Sequence, residues 1–221
     1  MIDKFISKNL ITTQEYAKIK HKTPYVLNVS KNKQEIVYFG SRHSKNPKDK
    51  QFSKIEILFN KFLNKHNKRD IVIILENYTP HLILSRNEMI KNFGETGLLY
   101  FLAQKHKLKT ICPEPSQKQI LEFVKSRKNK KRNILLWIFL NIISNKFKLK
   151  EIKKLQDPFI KFSELNKIGA DFNLARDYYI SKGILKQLKS NYSIFAVFGA
   201  NHVVCQEKVI RRFLEKIFLG L

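Results

Sequence analysis

Hydrophobic positions in this chain alternate between short unbroken runs and series at helical spacing. Apolar runs at 25–29 and 35–39 flank the polar stretch Lys31-Asn32-Lys33-Gln34 and predict a hairpin. Phe52, Ile55, Ile57, Leu58, Phe59, Phe62 and Leu63 then recur at the helical interval. Next comes Asp70-Ile71-Val72-Ile73-Ile74-Leu75-Glu76, a β-branched run of the kind that a parallel strand covered on both faces requires. Strand, helix and strand make a βαβ unit. Gly94-Glu95-Thr96-Gly97 opens another helical series to about Lys107, and a short strand at 109–112 is stopped by Pro113 and Pro115. Residues 116–154 read as helices with a lysine-rich joint near 126–132. A helix over about 171–188 leads into the apolar run 193–198, and a helix over 203–218 follows. The first 23 residues read as a mixed helical lead-in. This alternation predicts an α/β fold with a mixed, mainly parallel central sheet flanked by helices. One domain is expected over 1–221, with 116–154 as a helical insertion or cap within it.

Two of the predicted strands run into the same four-residue motif, Gly40-Ser41-Arg42-His43 and Gly199-Ala200-Asn201-His202. Seven glycines and six histidines scattered over 221 positions would give well under one such pair by chance. Glycine at a strand end permits a tight turn or a close backbone approach, so each histidine is expected to stand at the sheet rim. Glu76 ends the second strand of the βαβ unit and Glu114 lies just past the short strand. In open α/β sheets ligands bind beyond the carboxyl ends of parallel strands, so His43, Glu76, Glu114 and His202 all fall where a site is expected. Arg176 joins them. It shares a helix face with Phe172, Ile180 and Ile184, which turns it inward, where it needs an acidic partner such as Glu76 or Glu95, or an anionic ligand. Glu95 is equally explained by the preference for a carboxylate at a helix start. His21, His66, His81 and His106 lie in lysine-rich or loop contexts and are expected to be solvated and without function.

The hydrophobic fraction of 43% suffices for a real core. Cys112 and Cys205 are far apart with no C-x-x-C partner, which points away from a disulfide framework or structural zinc and toward a reduced, cytoplasmic protein. Charge interrupts the first residues, so no secretory signal is expected. The most hydrophobic run, 134–143, is about half the roughly 20 residues that span a bilayer, and predicts a buried or interfacial helix. Basic residues from Arg127 to Arg132 precede it, which adds docking on an anionic membrane as an alternative to core packing. A net charge of +25 favours weak nonspecific binding to nucleic acid or anionic membrane. Only eight of the 43 basic residues are arginine, the residue better suited to reading phosphates and bases, and no helix-turn-helix, zinc-finger or RNP signature is present.

The two Gly-x-x-His motifs, the glutamate closing Val72-Ile73-Ile74-Leu75-Glu76, the arginine of Leu174-Ala175-Arg176-Asp177 and the Gly94-Glu95-Thr96-Gly97 helix resemble, in order, the TraB/Tiki superfamily. That group of hydrolases looks related to erythromycin esterases and ChaN-like haem-binding proteins. The resemblance spans about residues 25–214. It departs from the pattern at Ser41-Arg42, where smaller residues are usual, and does not reach the 116–154 segment. It implies hydrolysis of an ester or amide, with His43, Glu76, Glu95, Arg176 and His202 as catalytic residues; Asn201 is a candidate for substrate contact, and Arg42, outside the family pattern, either binds an anionic substrate group or faces water.

Two chemistries satisfy these residues. In one, His43 and His202 with one carboxylate, Glu76 or Glu95, hold a divalent ion such as Mn, Co, Zn or Fe, which lowers the pKa of a bound water. In the other, His43 deprotonates water, a carboxylate orients it, and Arg176 stabilises the oxyanion. The alternative classes are a protein that binds a haem-like ligand without turnover, and a basic nucleic-acid or membrane-surface binder.

Overall fold

A computed structural model describes residues 2–77, 82, 84–127, 131–147, 149, 153 and 164–217. Two helices, α1 (Ile2–Asn9) and α2 (Thr13–Tyr16), precede strands β1 (Tyr25–Lys31) and β2 (Gln34–Ser41). Then follow α3 (Lys50–Lys65), a 3-10 turn (Lys68–Asp70), β3 (Ile71–Ile74), α4 (Arg86–Lys105) and β4 (Lys109–Ile111). Helices α5 (Gln117–Ser126), α6 (Lys131–Lys146) and α7 (Glu164–Lys189) lead to β5 (Ser193–Gly199) and α8 (Ala200–Ile217).

The five strands form one sheet in the order β1-β2-β5-β3-β4. β1 pairs antiparallel with β2 through a two-residue turn, where Asn32 takes the positive φ that such a turn requires. The other pairings are parallel, so the sheet is mixed and mainly parallel as the hydrophobic runs predict. β2, β3 and β5 are buried along their whole length, which is why they read as unbroken apolar runs rather than alternating ones.

Alternate residues of these strands face opposite helical layers. Val37, Phe39, Ile73, Phe195 and Val197 pack with Phe52, Ile55 and Phe59 of α3 and with Leu98, Leu99 and Leu102 of α4. On the other face the Tyr38 ring meets Phe198 edge-on and its hydroxyl reaches Gln206 of α8. Each fully buried aromatic or aliphatic side chain contributes about 1.5–3 kcal/mol by leaving water.

The chain divides into two compact units. The sheet unit comprises residues 1–10, 21–114 and 180–221, and the helical unit comprises 11–20 and 115–179. The helical unit has a small core of its own, in which Val124, Ile134 and Ile168 are buried with Trp137 stacked on Phe172. No helix among the described residues is long and apolar enough to cross a membrane.

Several boundaries differ from those read off the hydrophobic pattern. α4 begins at Arg86, where Ser85 and Glu88 form a reciprocal capping box, earlier than the pattern suggests, and a break at Gly94 opens its second segment where the Gly94-Glu95 pattern places a helix start. α7 begins at Glu164, and α8 begins at Ala200, inside the second Gly-x-x-His motif. β3 ends at Ile74, so Glu76 stands two residues beyond it.

Candidate active site

Parallel pairing of β2 with β5 sets the first motif beside the second. Gly40 lies opposite Phe198 and Ser41 opposite Gly199. Close approach of backbone requires Gly40, whereas a Cβ on Gly199 would displace side chains. A Cβ on Gly40 would lie 2.8 Å from the Ala200 α-carbon, and one on Gly199 would lie 2.6 Å from His43 Nε2 and 3.0 Å from Asn201 Oδ1.

Local structure then separates the two histidines. His202 sits in the first turn of α8 and is buried, with its ring edge-on to Phe198. No helix follows Gly40-Ser41-Arg42-His43 directly, because α3 does not begin until Lys50. His43 instead adopts φ 53°, a left-handed conformation uncommon for a residue with a Cβ, and its side chain is 60% exposed. Strained backbone of this kind gathers at functional sites.

Each histidine faces its own carboxylate. His43 Nδ1 lies 3.7 Å from Glu95 Oε2, and His202 Nε2 lies 3.8 Å from Glu76 Oε1. The other oxygen of each carboxylate is fixed by a backbone N–H from the matching motif segment. Gly199 N donates to Glu76 Oε2 at 3.0 Å, and Ser44 N donates to Glu95 Oε1 at 2.7 Å. The His–Glu separations exceed hydrogen-bond length, and such contacts in catalytic sites often tighten only with substrate.

Glu95 reaches this position through a break in α4. Gly94 has φ 60° and ψ −136°, which interrupts the helix and restarts it at Glu95. Beside it, Thr96 donates to the Glu76 carbonyl at 3.1 Å, tying the restarted helix to the end of β3. Gln51, in the first turn of α3, donates to Glu95 Oε1 at 2.9 Å while its own Oε1 accepts from Arg42 N at 3.3 Å. Gln51 is almost fully buried and links the first motif to Glu95. Pattern reading missed it because an amide at a helix start carries no chemical signature of its own.

These groups border a cavity of about 350 Å³ lined by His43, Lys45, Glu76, Asn77, Glu95 and Thr96 among others. Lys45 supplies a cation that sequence reasoning also passed over. Arg42 forks onto Asp49, the N-cap of α3, with Nη2–Oδ1 at 2.7 Å, and this bond holds the Asp49 carboxyl below its ordinary pKa. Asn201 is half-buried, and Glu114 accepts from Asn77 N at 3.4 Å. Arg176 is half-buried on the part of α7 that belongs to the helical unit.

The expectation that His66 is solvated is overturned. Its side chain is only 8% exposed, with Nε2 at 2.8 Å from Glu35 Oε2 and Nδ1 at 3.3 Å from Ser193 Oγ. Lys65 also reaches Glu35 at 2.9 Å. Burial alone would raise the Glu35 pKa, but the Lys65 and His66 hydrogen bonds outweigh it and hold the carboxyl below its usual value. This cluster lies at the opposite sheet rim, beside a cleft of about 810 Å³. His106 is partly buried against Phe59, and burial lowers its pKa. His21 is half-buried and His81 lies outside the described residues.

Among the described residues no three His, Cys, Asp or Glu side chains are gathered as a metal ion would need. The donors stand as two His–carboxylate pairs, and each carboxylate also accepts a backbone N–H. No family model, curated protein or solved structure matches this chain.

Proposed function

We propose that the rim of β2, β5 and β3 is the active site of a hydrolase acting on an ester or amide bond, with His43 as general base. The observation that carries this reading is the exposed His43, backed by a buried, backbone-anchored Glu95, with both side chains lining one cavity. With Glu95 facing Nδ1, the proton is assigned to that nitrogen and Nε2 carries the lone pair. Nε2 lies over Gly199, next to the start of α8. His43 takes a proton from water as the water oxygen attacks the substrate carbonyl carbon. The tetrahedral oxyanion forms in the cavity beside Lys45, whose cation favours negative charge. Its collapse breaks the ester or amide bond, and the leaving alkoxide or amine takes the proton back from His43.

His202 and Glu76 act as positioning residues. They are buried, and Glu76 grips Gly199 N, which sets the backbone over which His43 lies. The resemblance to the TraB/Tiki group supports the same chemistry and a role for His43, Glu76, Glu95 and His202; it also implies a role for Arg176. The test is hydrolysis of a panel of activated esters and peptide amides by the wild type and by His43→Ala. Loss of turnover in a variant that melts at the wild-type temperature supports the reading. Equal turnover in both proteins sinks it.

A further inference from the structure

α6 carries apolar side chains on its outer face as well as on the face that packs, unlike an amphipathic helix on a soluble core. Ile134, Trp137, Ile138, Asn141 and Ser144 fall on one side, and Ile134 and Ser144 are its buried residues. The opposite side, which an amphipathic surface helix would make polar, carries Leu135, Leu136, Phe139 and Ile142, exposed at 57, 42, 58 and 61%. Ser144 and Asn141 are thus turned inward while leucine, phenylalanine and isoleucine face out. By i, i+4, i+7 spacing the outward stripe begins at Arg132 and ends at Lys146, both exposed, so its apolar centre is bracketed by cations. The stripe is continuous, unlike the scattered exposed apolar residues of ordinary surfaces.

We propose that this face of α6 docks on an anionic lipid surface, lying in the plane of the interface without crossing it. Charge complementarity selects this occupant. Residues 117–149 contain nine lysines and arginines against a single carboxylate, Glu122. A second copy of the chain would bring the same cations, and a net charge of +25, against itself. A nucleic acid would use the cations but would leave the apolar stripe without a purpose. An anionic bilayer uses both, since apolar side chains enter the acyl boundary while flanking Lys and Arg reach the headgroups. The helix is too short to span a bilayer, in keeping with an interfacial pose.

The experiment is flotation of the full chain with vesicles of phosphatidylcholine alone and of phosphatidylcholine with about one third phosphatidylserine. Wild-type protein is expected to float with the anionic vesicles only. The double variant Phe139→Asp/Ile142→Asp should lose at least about tenfold of that binding. Both substituted positions are exposed, so its melting temperature and the emission of the single tryptophan, Trp137, should match the wild type. Failure to bind anionic vesicles overturns the proposal. So does binding that the double variant retains, which would show that general charge suffices. A wild-type dimer that the variant converts to monomer would assign the face to a second copy and overturn it as well. None of these outcomes depends on hydrolytic activity.

Discussion

The two Gly-x-x-His segments share a sequence pattern and a position at the ends of adjacent strands, yet they fold differently. The second enters a helix at once, and its histidine is buried beside a carboxylate locked to Gly199. The first leaves its strand into a loop, and its histidine stands in a left-handed conformation facing solvent. A buried imidazole between a helix turn and an aromatic ring holds geometry, whereas an exposed one backed by a carboxylate can exchange protons with substrate. On the proposed reading the same motif supplies the base in one copy and the scaffold in the other.

The largest expected effect is on His43. His43→Ala should reduce turnover about 10²–10⁴-fold, the usual contribution of a general base, while stability stays within about 0.5 kcal/mol. His202→Ala should reverse the balance. It leaves buried Glu76 without its imidazole neighbour and should cost about 1–3 kcal/mol in thermal or denaturant unfolding, with turnover falling less than for His43→Ala. Equal stability loss in the two variants would erase the distinction drawn between them.

The glycines offer a second way to break the comparison. A Cβ on Gly199 meets the far end of the His43 side chain, which can swing away, so Gly199→Ala should impair turnover more than folding. A Cβ on Gly40 meets the Ala200 backbone, which cannot yield, so Gly40→Ala should destabilise by about 1–3 kcal/mol. Paired melting curves and turnover assays separate these outcomes.

Metal binding is sharpened by titrating metal-free protein with Mn²⁺, Co²⁺ and Zn²⁺. Two separate His–Glu pairs predict no melting-temperature shift that depends on the histidines. A stabilisation lost in His43→Ala/His202→Ala would instead mean that the pairs close around an ion.

The smallest effect concerns the opposite rim. Glu35 titrates below its ordinary value of 4.5 in the folded protein, so its contribution to stability is complete above the unfolded carboxylate range. That contribution is lost as pH falls through the folded value. His66→Ala removes one of the bonds responsible, so the stability gap between wild type and variant should narrow on acidification through that window.

Much of the architecture was legible because burial on both faces writes itself as unbroken β-branched runs, as at Ile71–Ile74 and Ser193–Gly199. The candidate residues at strand ends were legible for the same reason, since a strand end can be counted. What escaped was local detail that propensity does not encode. His66 looked solvated among Lys65, Asn67 and Lys68, and only the meeting of α3 with β2 and β5 buries its ring. Gln51 looked like any helix-start residue until the fold set it between Arg42 and Glu95.

By itself, then, the chain determined which segments are strands and helices and that two glycine-linked histidines lie at strand ends, because periodicity and steric freedom are local properties. Tertiary structure decided that β2 and β5 are neighbours, that Glu95 rather than Glu76 backs His43, and that one histidine is exposed while the other is buried. Those outcomes depend on strand order and on the helix break at Gly94, which bring together groups remote in sequence.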